Sequence, residues 1–317
     1  MLQELPDLEP ELDFDSLAYF SKYRRFPDFS LHEIAAIARA DVLDAVGQHG
    51  NAWVSLSNKQ NETAAAFLYP LKWDTGHFAM PMYRLDVLSS AGTGTQDCSE
   101  LVARAIQDSA LASGSHISAE ADIDDYSTLN ALLRNGFEIL DLKRTYCTNR
   151  MRNDIDFVRM RSRVRHYNPD DYDVVMNLVR ATRFVSRFSR DQFIPQEQAA
   201  AMYEKWFSAL LSEYDKTSNA VVYERHGEVV GCGAISEKDF AYAGLKRKFR
   251  TGSLYVGRPD AVGAYTPVLY QLIVEALESH GLVDTTVSLN NVTVCRVLEG
   301  FRSYKSAAAS YSLRKMT

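Results

Sequence analysis

One stretch limits the architectures open to this 317-residue chain more than any other: Thr251–Phe301. A β-type run, Thr251–Gly257, leads through Arg258-Pro-Asp-Ala-Val-Gly-Ala-Tyr-Thr266 into an apolar-periodic segment that reaches His280-Gly281. A second β-type run, Val283–Leu289, leads to the polar break Asn290-Asn291 and a short helical segment closing at Gly300-Phe301. Strand, glycine loop, helix, strand, helix is the order expected of a mixed sheet with helices on its faces. The loop opens a helix, so its backbone N–H groups point out at a helix N-terminus, where an anion can bind without a lysine. An ordinary strand-to-helix turn has the same spacing, and a glycine loop alone does not separate the two.

The same order recurs upstream. The spacing predicts a helix over Ser30–Val46 with a Ser30/Glu33 capping box, then strands over Ala52–Leu56 and Thr63–Leu71. An aromatic turn, Trp73–Phe78, precedes a strand over Met82–Leu88. Gly92 and Gly94 precede a helix over Cys98–Ser113, followed by strand Ile117–Ile123, helix Ser127–Arg134 and strand Glu138–Thr148. In the second half, strand Arg163–His166 leads to a helix capped by Asn168-Pro169 and running to Arg183. An irregular segment, Phe184–Pro195, and a helix, Gln196–Tyr214, follow. Strands Ala220–Glu224 and Val229–Ile235 form a tight hairpin. Glu237–Arg250 reads as a basic, aromatic loop or insertion, and Arg302–Lys315 as one or two closing strands. Gly114 aligns with Gly281, Asp124-Asp125 with Asn290-Asn291 and Gly136-Phe137 with Gly300-Phe301, at offsets near 165. An offset that long indicates a duplicated domain rather than a solenoid repeat. The expected boundary falls in the charged run Arg150–Arg163, giving domains 1–157 and 158–317.

Composition narrows the function. A net charge of −6 argues against a broad basic face for nucleic acid. The four cysteines form no C-x-x-C pair, so neither a zinc site nor a disulfide framework is expected, and reduced thiols in a cytoplasm are. No apolar run is long enough to span a bilayer, and the acidic N-terminus does not read as a signal peptide.

Several motifs together resemble one superfamily. They are the hairpin Val221–Gly231, the loop Arg258-x-x-Ala261-x-Gly263, the strand ending at Asn290-Asn291, and the closing Gly300-Phe301. In order, over residues 158–317, they resemble a GNAT N-acetyltransferase domain. Ala261 stands where the superfamily loop has its first glycine. Ser186–Asp191, with Tyr203 and Trp206 downstream, and Trp73-Asp74-x-x-x-Phe78 resemble the TDP-fucosamine acetyltransferase group, whose first GNAT-like half is truncated. The implied fold is a mixed α/β sheet in two tandem GNAT-like domains, the first degenerate and the second catalytic.

The resemblance implies acetyl-CoA as co-substrate, its pyrophosphate held by Val262, Gly263, Ala264, Tyr265 and Thr266 beside Arg258 and Ala261. The pantetheine arm then runs along Leu254, Tyr255 and Val256 between splayed strands and within reach of Asn291, which is also a natural helix N-cap. Gly92 and Gly94 of the first half precede Asp97, which caps a helix but repels phosphate, so the cofactor is expected only in the second half. Acetyl transfer needs an N–H donor for the oxyanion, expected near Tyr255–Val256, and a base for the amine, with Glu237, Asp239 and Asp191 as candidates.

The superfamily tyrosine that protonates the leaving thiolate has no counterpart at Leu298 or Arg296, and Tyr265, Tyr304 or Tyr311 are the available substitutes. Arg187, Phe188, Trp73 and His77 are candidate acceptor contacts, although His77 also fits a structural role. Arg187, Arg190 and the Lys246-Arg247-Lys248-Arg250 cluster could receive an anionic acceptor, although a basic solvated loop is the favoured reading. The expected reaction is acetyl transfer to a primary amine, foremost an amino sugar on a nucleotide. A small amine, or acyl-CoA binding without catalysis, is the alternative. No metal, nucleic acid or membrane partner is expected, and a homodimer is compatible with the sequence.

Overall fold

The computed structural model describes residues 12–21, 23–24, 29–49, 53–59, 62–149, 163–214, 218–242, 245–280, 283–301 and 305–317. The chain divides into two compact units. One comprises Met1–Arg144, Tyr242–Leu245 and Ala307–Thr317; the other comprises Thr145–Ala241 and Lys246–Ser306. This differs from a single cut between 157 and 158, because the last strand of the chain belongs to the first unit. Among the described residues no helix is long and apolar enough to cross a membrane.

The first unit begins with a short helix, α1 (Phe14–Leu17), whose N-cap Asp13 accepts from the Ser16 amide. Helix α2 (Leu31–His49) starts at the expected capping box: the Glu33 amide donates to Ser30 Oγ at 3.2 Å and the Ser30 amide to Glu33 Oε2 at 2.9 Å. Strands β1 (Trp53–Lys59) and β2 (Glu62–Pro70) follow, then α3 (Lys72–Phe78), β3 (Met82–Ser89), α4 (Thr95–Asp108), β4 (His116–Asp122), α5 (Tyr126–Arg134) and β5 (Glu138–Thr148). The expected aromatic turn at Trp73–Phe78 is instead the helix α3, ended by Ala79 in the left-handed region at φ 53°. β11 (Lys305–Met316) closes the chain as one strand. The strand order of this unit is β1-β2-β3-β4-β11-β5, with β11 antiparallel to β4 from Ser310–Asp122 to Met316–His116.

One face of that sheet is apolar. Ala64, Ala66, Leu68, Leu85, Ile117, Ala119 and Leu313 pack against Leu101, Val102, Ala105 and Leu132 of α4 and α5. The other carries a charged network. Tyr69 Oη donates to Asp86 at 2.6 Å, Arg84 Nε to Asp86 at 2.7 Å, and Lys143 Nζ to Glu120 at 2.7 Å, with Arg84 Nη2 3.7 Å from Glu120. Burial pushes the Glu120 carboxyl up, but Lys143 and Arg84 outweigh it and hold the group well below the usual carboxylate range. Residues from four strands thus satisfy one another, which pins the register of the sheet.

The second unit takes up the chain at Thr145. Its elements are β6 (Val164–His166), α6 (Tyr172–Ala181), α7 (Arg187–Arg190), α8 (Gln196–Ser212), β7 (Ser218–Arg225), β8 (Glu228–Tyr242), β9 (Leu245–Gly257), α9 (Tyr265–His280), β10 (Val283–Ser288) and α10 (Val292–Gly300). A 3₁₀ turn over Pro169–Asp171, capped by Asn168, leads into α6 as the Asn-Pro signal predicts. The segment expected as a loop, Glu237–Arg250, is instead part of the long strands β8 and β9. Its charges disguised strands that also carry the aromatics Phe240, Tyr242 and Phe249.

The strand order here is β5-β10-β9-β8-β7-β6. Val221, Val230 and Val283 pack with Val268, Leu272 and Ala276 of α9, while Leu269, Ile273 and Val287 pack with Leu298 and Phe301. Gly231 and Gly233 bring α9 onto β8. A Cβ on Gly231 would sit 2.7 Å from the Ala264 carbonyl oxygen, and one on Gly233 2.5 Å from Val268 Cγ1.

Candidate cofactor cleft

β9 ends at Gly257, and the chain turns through 258–264 into α9. The turn is tied down by its own backbone. The Arg258 amide donates to Val230 O at 2.8 Å, Ala261 to Arg258 O at 2.9 Å, Ala264 to Ala261 O at 2.9 Å and Thr266 to Gly263 O at 3.1 Å. The amides of Ala264 and Thr266, expected to face a phosphate, are therefore used within the loop. Those of Val262, Gly263 and Tyr265 donate to no other backbone group among the described residues. Val262 is 86% exposed, and Gly263 holds φ 74°, which glycine adopts without strain. Ala261 is buried against Val268 and Ala264, so alanine at this position packs the loop onto the helix. Pro267 sits in the first turn of α9, where a missing N–H costs little.

Arg258 is turned onto two carboxylates: Nη1 reaches Glu228 at 2.8 Å and Nε reaches Asp260 at 2.7 Å. The hydrogen bonds to Glu228 and Asp260 push its guanidinium pKa up further. A second arginine, which the sequence reading did not single out, stands at the same loop. Arg225 Nη2 donates to the Val262 carbonyl at 3.1 Å. Tyr265 Oη is buried with no hydrogen-bond partner among the described residues, and burial pushes its pKa up.

Beside the loop, the parallel pairing of β9 with β10 is registered at Arg250–Val283. On that register Leu254–Val256 stand level with 287–289. Asn291 follows β10 and caps α10, its Oδ1 accepting from the Val294 amide at 3.4 Å.

The first unit repeats these features. The Ser90 amide donates to Thr63 O at 2.9 Å, the counterpart of the Arg258–Val230 bond. β3 and β4 pair from Met82–His116 to Leu85–Ala119 and no further among the described residues, although β3 runs on to Ser89. Asp125 caps α5 with φ −85° and ψ 71°, against −84° and 63° for Asn291. The chemistry differs. Asp97 lies in the first turn of α4, Ser90 stands in the place of Arg258, and Thr93 Oγ1 ties the loop to Thr63 O at 3.1 Å. Burial raises the Asp125 carboxyl, against hydrogen bonds from Thr128 and Ser89.

The remaining candidates fall in both units. Trp73 and His77 stack at 5.1 Å and 6° on α3 in the first unit, whereas Arg187, over Phe188 at 4.6 Å, belongs to the second. Asp191 is 1% exposed and accepts from the Phe193 amide at 3.0 Å, a turn-capping role. Glu237 lies in β8, its side chain outside the described residues, as are those of Asp239 and of Lys246, Arg247, Lys248 and Arg250. Tyr304 also lies outside them. Phe184 stacks on Tyr203 at 4.1 Å, with Trp206 alongside. Isolated glycines inside strands signal close backbone approach, so Gly231 and Gly233 were legible as such. Arg225, at a hairpin end, carries no comparable signal.

No protein-family model and no curated protein matches the chain. Solved structures do. A GCN5-related N-acetyltransferase from Sphaerobacter thermophilus aligns with a TM-score of 0.51 and 14% identity, over 92% of this chain and 86% of that one. A tandem GNAT protein from the clavulanic acid biosynthesis pathway aligns with a TM-score of 0.51 and 11% identity, over 100% of this chain and 98% of that one. At such identities the likeness speaks to fold, and the fold of this chain is the mixed α/β architecture of tandem GNAT proteins.

Proposed function

We propose that the chain is an acetyl-CoA-dependent N-acetyltransferase whose cofactor binds to the second unit. The observation that carries this reading is the loop at the start of α9, whose Val262, Gly263 and Tyr265 amides donate to no other backbone group among the described residues. Acetyl-CoA supplies the acyl group as a thioester. Val262, Gly263 and Tyr265 offer N–H groups to its diphosphate, and Leu254–Val256 offer strand backbone to its arm, with an amide near Tyr255–Val256 facing the thioester oxygen. Asn291 adds an amide side chain at the far wall.

Glu237 is assigned as the base that accepts the ammonium proton through water, with Tyr265 or Tyr304 as the acid for the leaving thiolate. Arg187 over Phe188, with Phe184 on Tyr203, supports an acceptor that has an anionic and a planar portion, as an amino sugar on a nucleotide does. The buried, unbridged cysteines support a reducing compartment, the cytoplasm.

A screen of primary amines with acetyl-CoA, scored by released thiol, tests the reaction. Glu237→Gln should lower kcat by roughly 10²-fold or more while leaving the Kd for acetyl-CoA unchanged. A chain that binds acetyl-CoA but acetylates no amine is a binding protein rather than an enzyme.

A further inference from the structure

We propose that Arg225 is a positioning residue that sets the anion-binding face of the 258–264 loop, an inference that rests on the acyl-CoA reading above. Three successive carbonyls in this loop are held. Ala261 O accepts from the Ala264 amide and Gly263 O from the Thr266 amide, both within the loop and helix backbone. The middle one, Val262 O, accepts from the Arg225 guanidinium at 3.1 Å. In a trans peptide the C=O of one residue and the N–H of the next point in opposite directions. Holding the Val262 carbonyl toward the β7–β8 hairpin therefore turns the Gly263 N–H away from it, to the outer side of the loop. Val262 is 86% exposed and Gly263 has φ 74°, so neither burial nor a side chain fixes this peptide.

Arg225 is itself positioned from below. Its Nε lies 3.3 Å from Tyr223 Oη, and its guanidinium carbon lies 5.4 Å from the centroid of the Tyr223 ring, which is 95% buried. The two residues after it, His226 at φ 53° and Gly227 at φ 80°, form the tight turn that fixes the hairpin end. A charge-assisted bond to the carbonyl also polarises the peptide, making the Gly263 N–H a better donor to a phosphate oxygen.

The test compares a ligand that carries the diphosphate with one that lacks it. Arg225→Ala should raise the Kd for CoA roughly tenfold, the worth of one charge-assisted hydrogen bond, and leave the Kd for S-acetylpantetheine unchanged. Arg225→Lys should recover part of the loss, since a single ammonium reaches the carbonyl without the Tyr223 contact. With any acceptor that turns over, KM for acetyl-CoA rises and kcat does not. Hydrogen exchange gives a second readout: CoA should protect the Gly263 amide in the wild type and much less in Arg225→Ala. Equal weakening toward both ligands, or Gly263 protection that survives the substitution, overturns the proposal. A wild-type chain that binds no CoA overturns the acyl-CoA reading itself, and shows before any variant is made.

Discussion

The two units run the same course of strand, loop, helix, strand and helix, from β3 to α5 in one and from β9 to α10 in the other. Both return the first loop amide to the neighbouring strand, and both cap the last helix with the same backbone geometry. What separates them is charge and the use of side chains. The second loop keeps an arginine at its start and another at its middle carbonyl, and ends the following strand on an amide, Asn291. The first replaces these with serine, a threonine tie and a buried carboxylate, Asp125. Backbone geometry thus recurs between the units where the loop chemistry does not, because the fold needs the geometry and only a ligand needs the charge.

The strongest way to break the contrast is to unseat the second loop. Gly231→Val places a side chain 2.7 Å from the Ala264 carbonyl oxygen, where backbone has to move. The expected outcome is loss of CoA binding in calorimetry and a stability drop of about 1–3 kcal/mol in denaturant melts. Next comes Lys143→Ala in the first unit, which leaves Glu120 without its nearest cation. This half-buried pair should cost about 1–3 kcal/mol with no change in CoA affinity.

The sign with pH follows from the lowered Glu120 carboxyl. The stabilisation is complete above the unfolded carboxylate pKa, about 4.3, and is lost as pH falls toward the folded value. The variant should therefore differ most from wild type at neutral pH and progressively less below about pH 4. A smaller effect exchanges the two caps. Asn291→Asp keeps a good N-cap but adds a charge beside the cleft, and should weaken CoA roughly five- to tenfold at an unchanged Tm. Asp125→Asn should leave CoA binding untouched, since that cap lies in the unit assigned no cofactor.

Much of the fold was legible because local signals agreed with the global one. The Ser30/Glu33 box, the Asn168-Pro169 entry, the polar breaks before α5 and α10 and the whole of β5 stand where periodicity and capping chemistry put them. The failures were physical as well. Glu237–Arg250 sets the charged blocks Glu237–Asp239 and Lys246–Lys248 beside aromatics, which reads as a loop by polarity and as a strand only when a neighbouring strand completes the ladder. The placing of β11 beside β4 is a long-range pairing that no local pattern encodes. At the site, the loop and Asn291 were legible by spacing. Which amides the loop itself uses, and the bond from Arg225 to the Val262 carbonyl, depended on hydrogen bonds that no spacing reveals.

Hydrogen exchange of the intact chain with and without CoA tests the central claim most directly. The account predicts new protection at Leu254–Val256 and at 262–265, with the corresponding segments of the first unit, Asp86–Ser89 and 90–97, unchanged. Protection confined to 90–97, or equal in both units, would contradict it.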